Sequence, residues 1–413
     1  MRAGVSRRGF LGGSAVAVLS TAAGGSVLAS CSKDARADAE RRQRIGFEGV
    51  HQQGIVTPAQ QHAIVVAFIC VAADAVALQV MFRTLTTEVR DLMSGAVAPT
   101  LDPLLAPVDN LIVGVQPPAD NLTVTVGVGA SLFDDRFGLR ARKPTQLRPM
   151  PTFPNDKPDP ARLHGDVVIQ ICAETPEMCN HTLRRLMRAT RDSLVLKWML
   201  PGFTQPNTLG TGRASPRNLL GFKDGTANPN HAVDALMDEL VWVAAGDNEP
   251  AWTAGGTYQA IRLIRNRVEF WDRTPLRTQE TIIGRDKPTG APLGMTAETD
   301  VPDFAADPDG KQFRLDGHIR LANPRTAETE TNRILRRGYN YSAGFDKAGQ
   351  LDQGLLFVCF QRSLDDGFIA VQNRLNGEAL EEYITPFGGG LYFALPGVTT
   401  ASGSFADALF ASS

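Results

Sequence analysis

Three residues of this chain have side chains that could serve one reaction. His318 follows a glycine, and Arg336 lies 18 positions later in a strand-like run. Upstream, the segment G-F-K-D-G-T-A-N-P over residues 221–229 sets Asp224 between two glycines. A neutral imidazole is the commonest protein donor to iron, so His318 is a candidate haem or metal ligand. A carboxylate such as Asp224 can take a proton and return it. An arginine never loses its charge, so Arg336 can stabilise negative charge developing on oxygen. The glycines around Asp224 would let the backbone come close to a flat cofactor. Each residue also has a plainer reading: an isolated His is more often structural, and a D-G pair is more often a turn. The three together are what point to chemistry.

Four further motifs accompany them: V-H-Q-Q-G-I-V-T-P at 50–58, F-D-D-R-F-G-L at 133–139, G-L-L-F-V-C-F-Q at 354–361 and F-G-G-G-L-Y-F at 387–393. With these the chain resembles the dye-decolourising haem peroxidases, and within them the subgroup with exported deferrochelatase-type members. The resemblance covers nearly the whole mature chain. It implies His318 as the proximal ligand of haem iron, Arg336 as the distal arginine and Asp224 as the acid of a G-x-x-D-G motif. It places a carboxylate on the other ring nitrogen of His318, which would fix the tautomer and strengthen the donor. Glu382, in L-E-E-Y-I-T-P-F-G-G-G, matches that position, with its neighbour Glu381 as the alternative. Leu355 and Phe357, two apart on one strand face, fall where the family builds the apolar wall of its peroxide pocket. A haem pocket also needs donors for the propionates, and Asn228 and Arg320 are the candidates. Large dyes would deliver electrons through an oxidisable side chain, for which Trp271 and Tyr392 are candidates in the haem-holding half. His51 belongs to the first motif and reads as structural.

The elements that must position these residues come in two similar series. A β-branched run at 63–71 reads as a buried strand. Asp74 can cap a helix to about Met93, and 122–133 and 167–172 read as strands. Pro176 opens a helix expected to reach about Met199. The second half repeats the pattern, with strands at 258–265, 338–345 and 355–360 and helices at 269–283 and 365–375. Two copies of β-α-β-β-α predict an α+β fold of two ferredoxin-like units with antiparallel sheets. The resemblance places haem between the units, held mostly by the second. The Pro-rich span 144–160 and the Gly/Pro-rich span 201–216 read as surface loops. The expected domains are 46–213 and 214–413.

Residues 1–30 read as an address. S-R-R-G-F-L at 6–11 is a twin-arginine signal, and L-A-S-C at 28–31 is a lipobox that would leave Cys31 lipidated. Residues 31–45 read as a polar tether. After residue 30 no apolar run reaches membrane-spanning length. The composition, 43% apolar and 21% charged with a net charge of −2, is that of a globular protein. No basic run is dense enough to follow phosphates, so no nucleic-acid partner is expected. Of the five cysteines, Cys70, Cys172 and Cys359 lie in apolar runs, and no C-x-x-C pair occurs. That argues against a zinc site, a redox dithiol and covalently attached haem; the cofactor that the resemblance implies is haem b, held non-covalently. The functional expectation is a haem peroxidase acting on hydrogen peroxide and on dyes or other one-electron donors. The alternative is a deferrochelatase that releases iron from haem, with protein partners in iron uptake. A homo-oligomer is compatible with either.

Overall fold

The computed structural model describes residues 42–97, 102–205 and 215–411. The signal, the lipobox and the proposed domain boundary at 213 lie outside the described residues, and residues 44–413 form one unit. Its first series begins with β1 (His62–Cys70), whose β-branched residues are buried on both faces. Asp74 caps α1 (Ala75–Ser94), accepting a hydrogen bond from Ala77 N at 2.8 Å. Then follow β2 (Thr123–Gly129), β3 (Val167–Ala173), α2 (Pro176–Ala189, capped by Thr175) and β4 (Leu194–Phe203). The second series comprises β5 (Thr257–Asn266), α3 (Leu276–Ile283) and a short helix α4 (His318–Ala322). It continues through β6 (Leu335–Arg336), β7 (Tyr339–Phe345), β8 (Leu351–Gln361), α5 (Ala370–Leu375) and β9 (Ile384–Ala394).

The first series is β-α-β-β-α-β, one strand longer than the sequence reading, and the second repeats that order with the short helix α4 and the two-residue strand β6 inserted before β7. The helix opened by Pro176 stops at Ala189, and the segment expected to continue it is β4. Thr190 ends the helix, returning both its amide and its hydroxyl to Leu186 O. The alternating burial of Leu194, Trp198, Leu200 and Gly202 then follows the period of a strand. The helix expected over 269–283 is likewise two pieces, Val268–Trp271 and Leu276–Ile283, separated around Pro275.

All strand pairings between the named elements are antiparallel. The first series has sheet order β2-β3-β1-β4 and the second β7-β8-β5-β9, the ferredoxin-like order in both. The two sheets join along β2–β9 and β4–β7, and the β5–β8 pairing closes the ring. The inside of this barrel takes Ala63, Val65, Ala67, Ile261, Leu263, Leu356, Val358 and Phe360. Since side chains alternate along a strand, Arg262, Ile264, Leu355 and Phe357 face outward on the second half. The site is built on that outer face.

The span 144–160 is more than a surface loop. Lys157 N and Asp159 N donate to Pro386 O and Phe387 O at 2.9 and 2.8 Å, and Asp156 pairs with the buried Arg262. This docking carries Phe153, Asn155 and Asp156 from the first half's chain into the wall of the site.

Candidate active site

Asp224 sits on a loop that needs both of its glycines. Gly221 and Gly225 have φ of +86° and +118°, where a side chain is strained. A Cβ on Gly225 would meet no protein atom within 4 Å, so the space beside the carboxylate stays open. The loop is anchored by apolar and polar contacts. Phe222 is buried edge-on against Trp271, and Trp271 Nε1 donates to Leu220 O at 2.9 Å. Asn218 Oδ1 accepts from Leu220 N and Phe222 N at 3.1 and 3.2 Å.

Arg336 ends the two-residue strand β6, paired to β8 opposite Cys359. Its guanidinium Nη1 donates to Asp224 Oδ1. Asn228 locks the two segments together: its Oδ1 accepts from Arg336 N at 2.8 Å, and its Nδ2 donates to Arg336 O at 2.9 Å. Asn228 thus clamps the Arg336 backbone and, although expected to meet a propionate, is not among the residues lining the cavity. Burial by itself pushes the Asp224 carboxyl up. Arg336 overrides it through charge and hydrogen bond, helped by His318 and Asn218, and holds the group below the usual carboxylate range.

His318 opens α4 after Gly317. Its Nδ1 lies 2.6 Å from Oε2 of the buried Glu378. The carboxylate expected from Glu382 or Glu381 is therefore Glu378, three residues earlier. The reason is local geometry. Glu378 N bonds Leu375 O at 3.0 Å and Ala379 N bonds Asp316 O at 3.1 Å, which brings residue 378 beside the start of α4. Glu382 is exposed, near Arg314, while Glu381 lines the cavity. Burial pulls the imidazole down, but Glu378 more than offsets it, and His318 binds a proton more tightly than usual. The same carboxylate fixes Nδ1–H as the donor, leaving a strengthened Nε2 lone pair for the cavity.

His318, Asp224, Arg336, Leu355 and Phe357 all line one cavity, with Phe222, Ile264, Phe368 and Val371 among its apolar walls. Comparison with known proteins shows the family to which the chain belongs. The family model "Dyp-type peroxidase, N-terminal" matches residues 52–204, and "Dyp-type peroxidase, C-terminal" matches residues 215–399. Deferrochelatase of Escherichia coli (strain K12) is 55% identical over 371 residues, covering 89% of this chain and 88% of that protein. Among solved structures, a DyP-type peroxidase from Cellulomonas bogoriensis is 33% identical with a TM-score of 0.79, covering 89% of this chain and 98% of the other. Ferric DtpA from Streptomyces lividans is 32% identical with a TM-score of 0.81, covering 90% and 98%. The chain belongs to the Dyp-type peroxidase family.

Dyp-type peroxidases are haem enzymes, and the residues of this cavity fit haem. An apolar slot suits the macrocycle, and His318 Nε2, backed by Glu378, suits the iron. Arg325 also lines the slot, and its Nε is buried with no hydrogen-bond partner, as a donor awaiting an anionic group would be. Arg320, the candidate from the sequence, does not line the slot. Arg320 instead donates from Nη1 to Asp307 O and Phe313 O at 2.9 and 3.0 Å and lies over the Phe304 ring. Sequence reasoning missed Glu378 and Arg325. The signal available for Arg325 was its place in A-N-P-R, close behind His318.

Trp271 and Tyr392, weighed as entry points for electrons from large dyes, are both buried, so neither is a surface side chain of this Dyp-type peroxidase. His51 is structural: its Nδ1 lies 2.8 Å from Gly255 O, and its ring stacks on Trp242.

Proposed function

We propose that this Dyp-type peroxidase binds haem b non-covalently through His318 and reduces hydrogen peroxide, taking electrons one at a time from dyes or other small donors. The observation that supports it best is the Asp224–Arg336 pair in the same cavity as the His318–Glu378 pair. A protein that only carried haem would have no use for a distal acid and a distal cation. Bound haem would supply the iron and the redox equivalents. Glu378 orients the imidazole and keeps its proton on Nδ1. Asp224 is held ionised by Arg336, and a carboxylate has about four acceptor positions, so it keeps capacity beyond its bonds to Arg336 and Asn218. It can therefore take the proton from one peroxide oxygen and give it to the other, which leaves as water. Arg336 stabilises the negative charge that builds on oxygen as the O–O bond breaks. Leu355 and Phe357 exclude bulky groups and bulk water from that space.

A second reading has its own support. The 55% identity to a deferrochelatase favours haem as a substrate from which iron is released, within an iron-uptake system. The twin-arginine signal and the lipobox at Cys31 favour an enzyme exported folded, with haem in place, and tethered by lipid. One set of measurements separates the readings. Haem-loaded protein is given peroxide with and without a dye while its absorbance and porphyrin fluorescence are followed. Peroxide-dependent dye oxidation with the porphyrin remaining metallated supports the peroxidase. Growth of metal-free porphyrin fluorescence supports iron release, and neither signal would sink both.

A further inference from the structure

Away from the cavity, the connection between α1 and β2 turns apolar side chains outward. Leu104 is 90% exposed, Leu105 68%, Val115 58% and Val108 53%. Folded turns hold them there. Asp102 accepts from Leu104 N at 2.9 Å through its side chain and from Leu105 N at 3.1 Å through its carbonyl. The buried Asp109 accepts from Leu111 N at 2.8 Å and faces Arg185 of α2. Large apolar side chains held this exposed on one connection are the kind of feature that marks an interaction surface.

Two further observations say what covers them. Beside the leucines runs the outer side of α2, where Arg184 and Arg188 are exposed and Arg188 Nη2 reaches Ala106 O at 3.5 Å. Among the described residues no carboxylate pairs with either arginine. The chain also enters the folded unit at this place: Arg44 Nη2 donates to Pro117 O at 2.6 Å, and its guanidinium lies against Gly95 at the end of α1. Cys31 is 13 residues before Arg44, a reach of at most about 45 Å when extended. A lipid on Cys31 would hold this surface, by its own entry point, within that distance of a bilayer.

We propose that the 102–115 connection and the exposed side of α2 form a membrane-contact surface, its leucines entering the headgroup boundary of a bilayer that contains anionic lipid. Apolar side chains flanked by arginines are the combination that binds such interfaces. The orientation rests on the lipid-anchor reading, whereas the contact itself does not.

The test uses the chain from Ser32 onward, which keeps the whole 44–413 unit but has neither the signal nor an acylated cysteine. Its outcome is therefore independent of whether Cys31 is lipidated. Haem-loaded protein is floated with phosphatidylcholine vesicles and with vesicles containing phosphatidylglycerol. Flotation with the anionic vesicles is expected, weakening with salt and falling at least about fivefold in Leu104→Asp/Leu105→Asp and in Arg184→Glu/Arg188→Glu. None of these residues lines the cavity, so retained dye oxidation shows that the variants are folded. Absence of flotation, or flotation unchanged by the leucine substitutions, overturns the proposal. A concentration-dependent larger species that the leucine variant abolishes, without flotation, would assign the surface to a second copy of the chain and also overturn it.

Discussion

Replacing Arg336 by Leu should expose what the Asp224 carboxylate owes to its partner. Two opposite unit charges about 4 Å apart attract by about 4 kcal/mol at an effective dielectric near 20. The side chains are 31% and 27% accessible, so screening removes part of this. With His318 neutral on the iron, Asn218 still favours the ionised acid. Losing both this support and the cation that stabilises charge on oxygen should raise the barrier by about 1.4 to 2.7 kcal/mol, a ten- to hundredfold slower peroxide reaction. The pH dependence carries a second signature. In the wild type, burial pushes the carboxyl up, but Arg336 holds it below its ordinary range, so the base works until pH falls through that low value. Without Arg336, burial dominates, and the acid limb of the rate profile moves to higher pH. Stability has the same sign: the contribution of Asp224 is present above the unfolded carboxyl value of about 3.9 and is lost as pH falls through the lower folded one. The assay is stopped-flow mixing of haem-loaded protein with peroxide between about pH 3 and 7. A variant with the wild-type rate and an unmoved acid limb would refute the reasoning.

Three further outcomes are expected. Glu378→Gln should weaken haem affinity by about tenfold or more, whereas Glu382→Gln should not, as followed by titration of the Soret band; equal effects would contradict the observed pairing. Asn228→Ala removes two hydrogen bonds to the Arg336 backbone and should cost about 1 to 3 kcal/mol in thermal unfolding. It should also slow the peroxide reaction while haem content stays full, and an unchanged rate would mean that Arg336 needs no clamp. In cell fractionation at high salt, which weakens the surface contact proposed above, the full-length chain should still sediment with membranes and Cys31→Ser should be released, because no helix of the described residues is long and apolar enough to span a bilayer. Wild-type protein found wholly in the soluble exported fraction would make the lipobox coincidental.

The elements were legible wherever one local rule was enough. A β-branched run bounded by a polar turn gave β1, and an aspartate followed by apolar residues a turn apart gave α1. β4 was lost because the helix signal of Pro176 has no equally strong stop: Thr190 ends the helix with bonds to Leu186 that no composition rule marks. The strand character of Leu194–Phe203 comes from pairing with β1 along its whole length, a non-local fact. Ring closure is also non-local, since it depends on the β2–β9 and β4–β7 seams between residues far apart in the chain.

The same division runs through the site. The chain alone marked Asp224, Arg336 and His318 as candidates, because they stand in motifs that resemble those of the family, and the structure brings all three to one cavity. The chain also determined that Leu355 and Phe357 share a face, because strand periodicity is a covalent property of the backbone. Only the tertiary structure decided which neighbours serve them. Glu378, Glu381 and Glu382 are within one or two turns of each other, and a carboxylate must come within hydrogen-bond reach of Nδ1, a distance set by how the 375–379 turn meets α4. Asn228 and Arg320 have the chemistry of propionate donors, yet folding commits both to backbone carbonyls, while Arg325 keeps an orphan donor in the cavity wall. Residue type is local, whereas the partner of a polar group depends on which chain segments packing brings within about 3 Å of it.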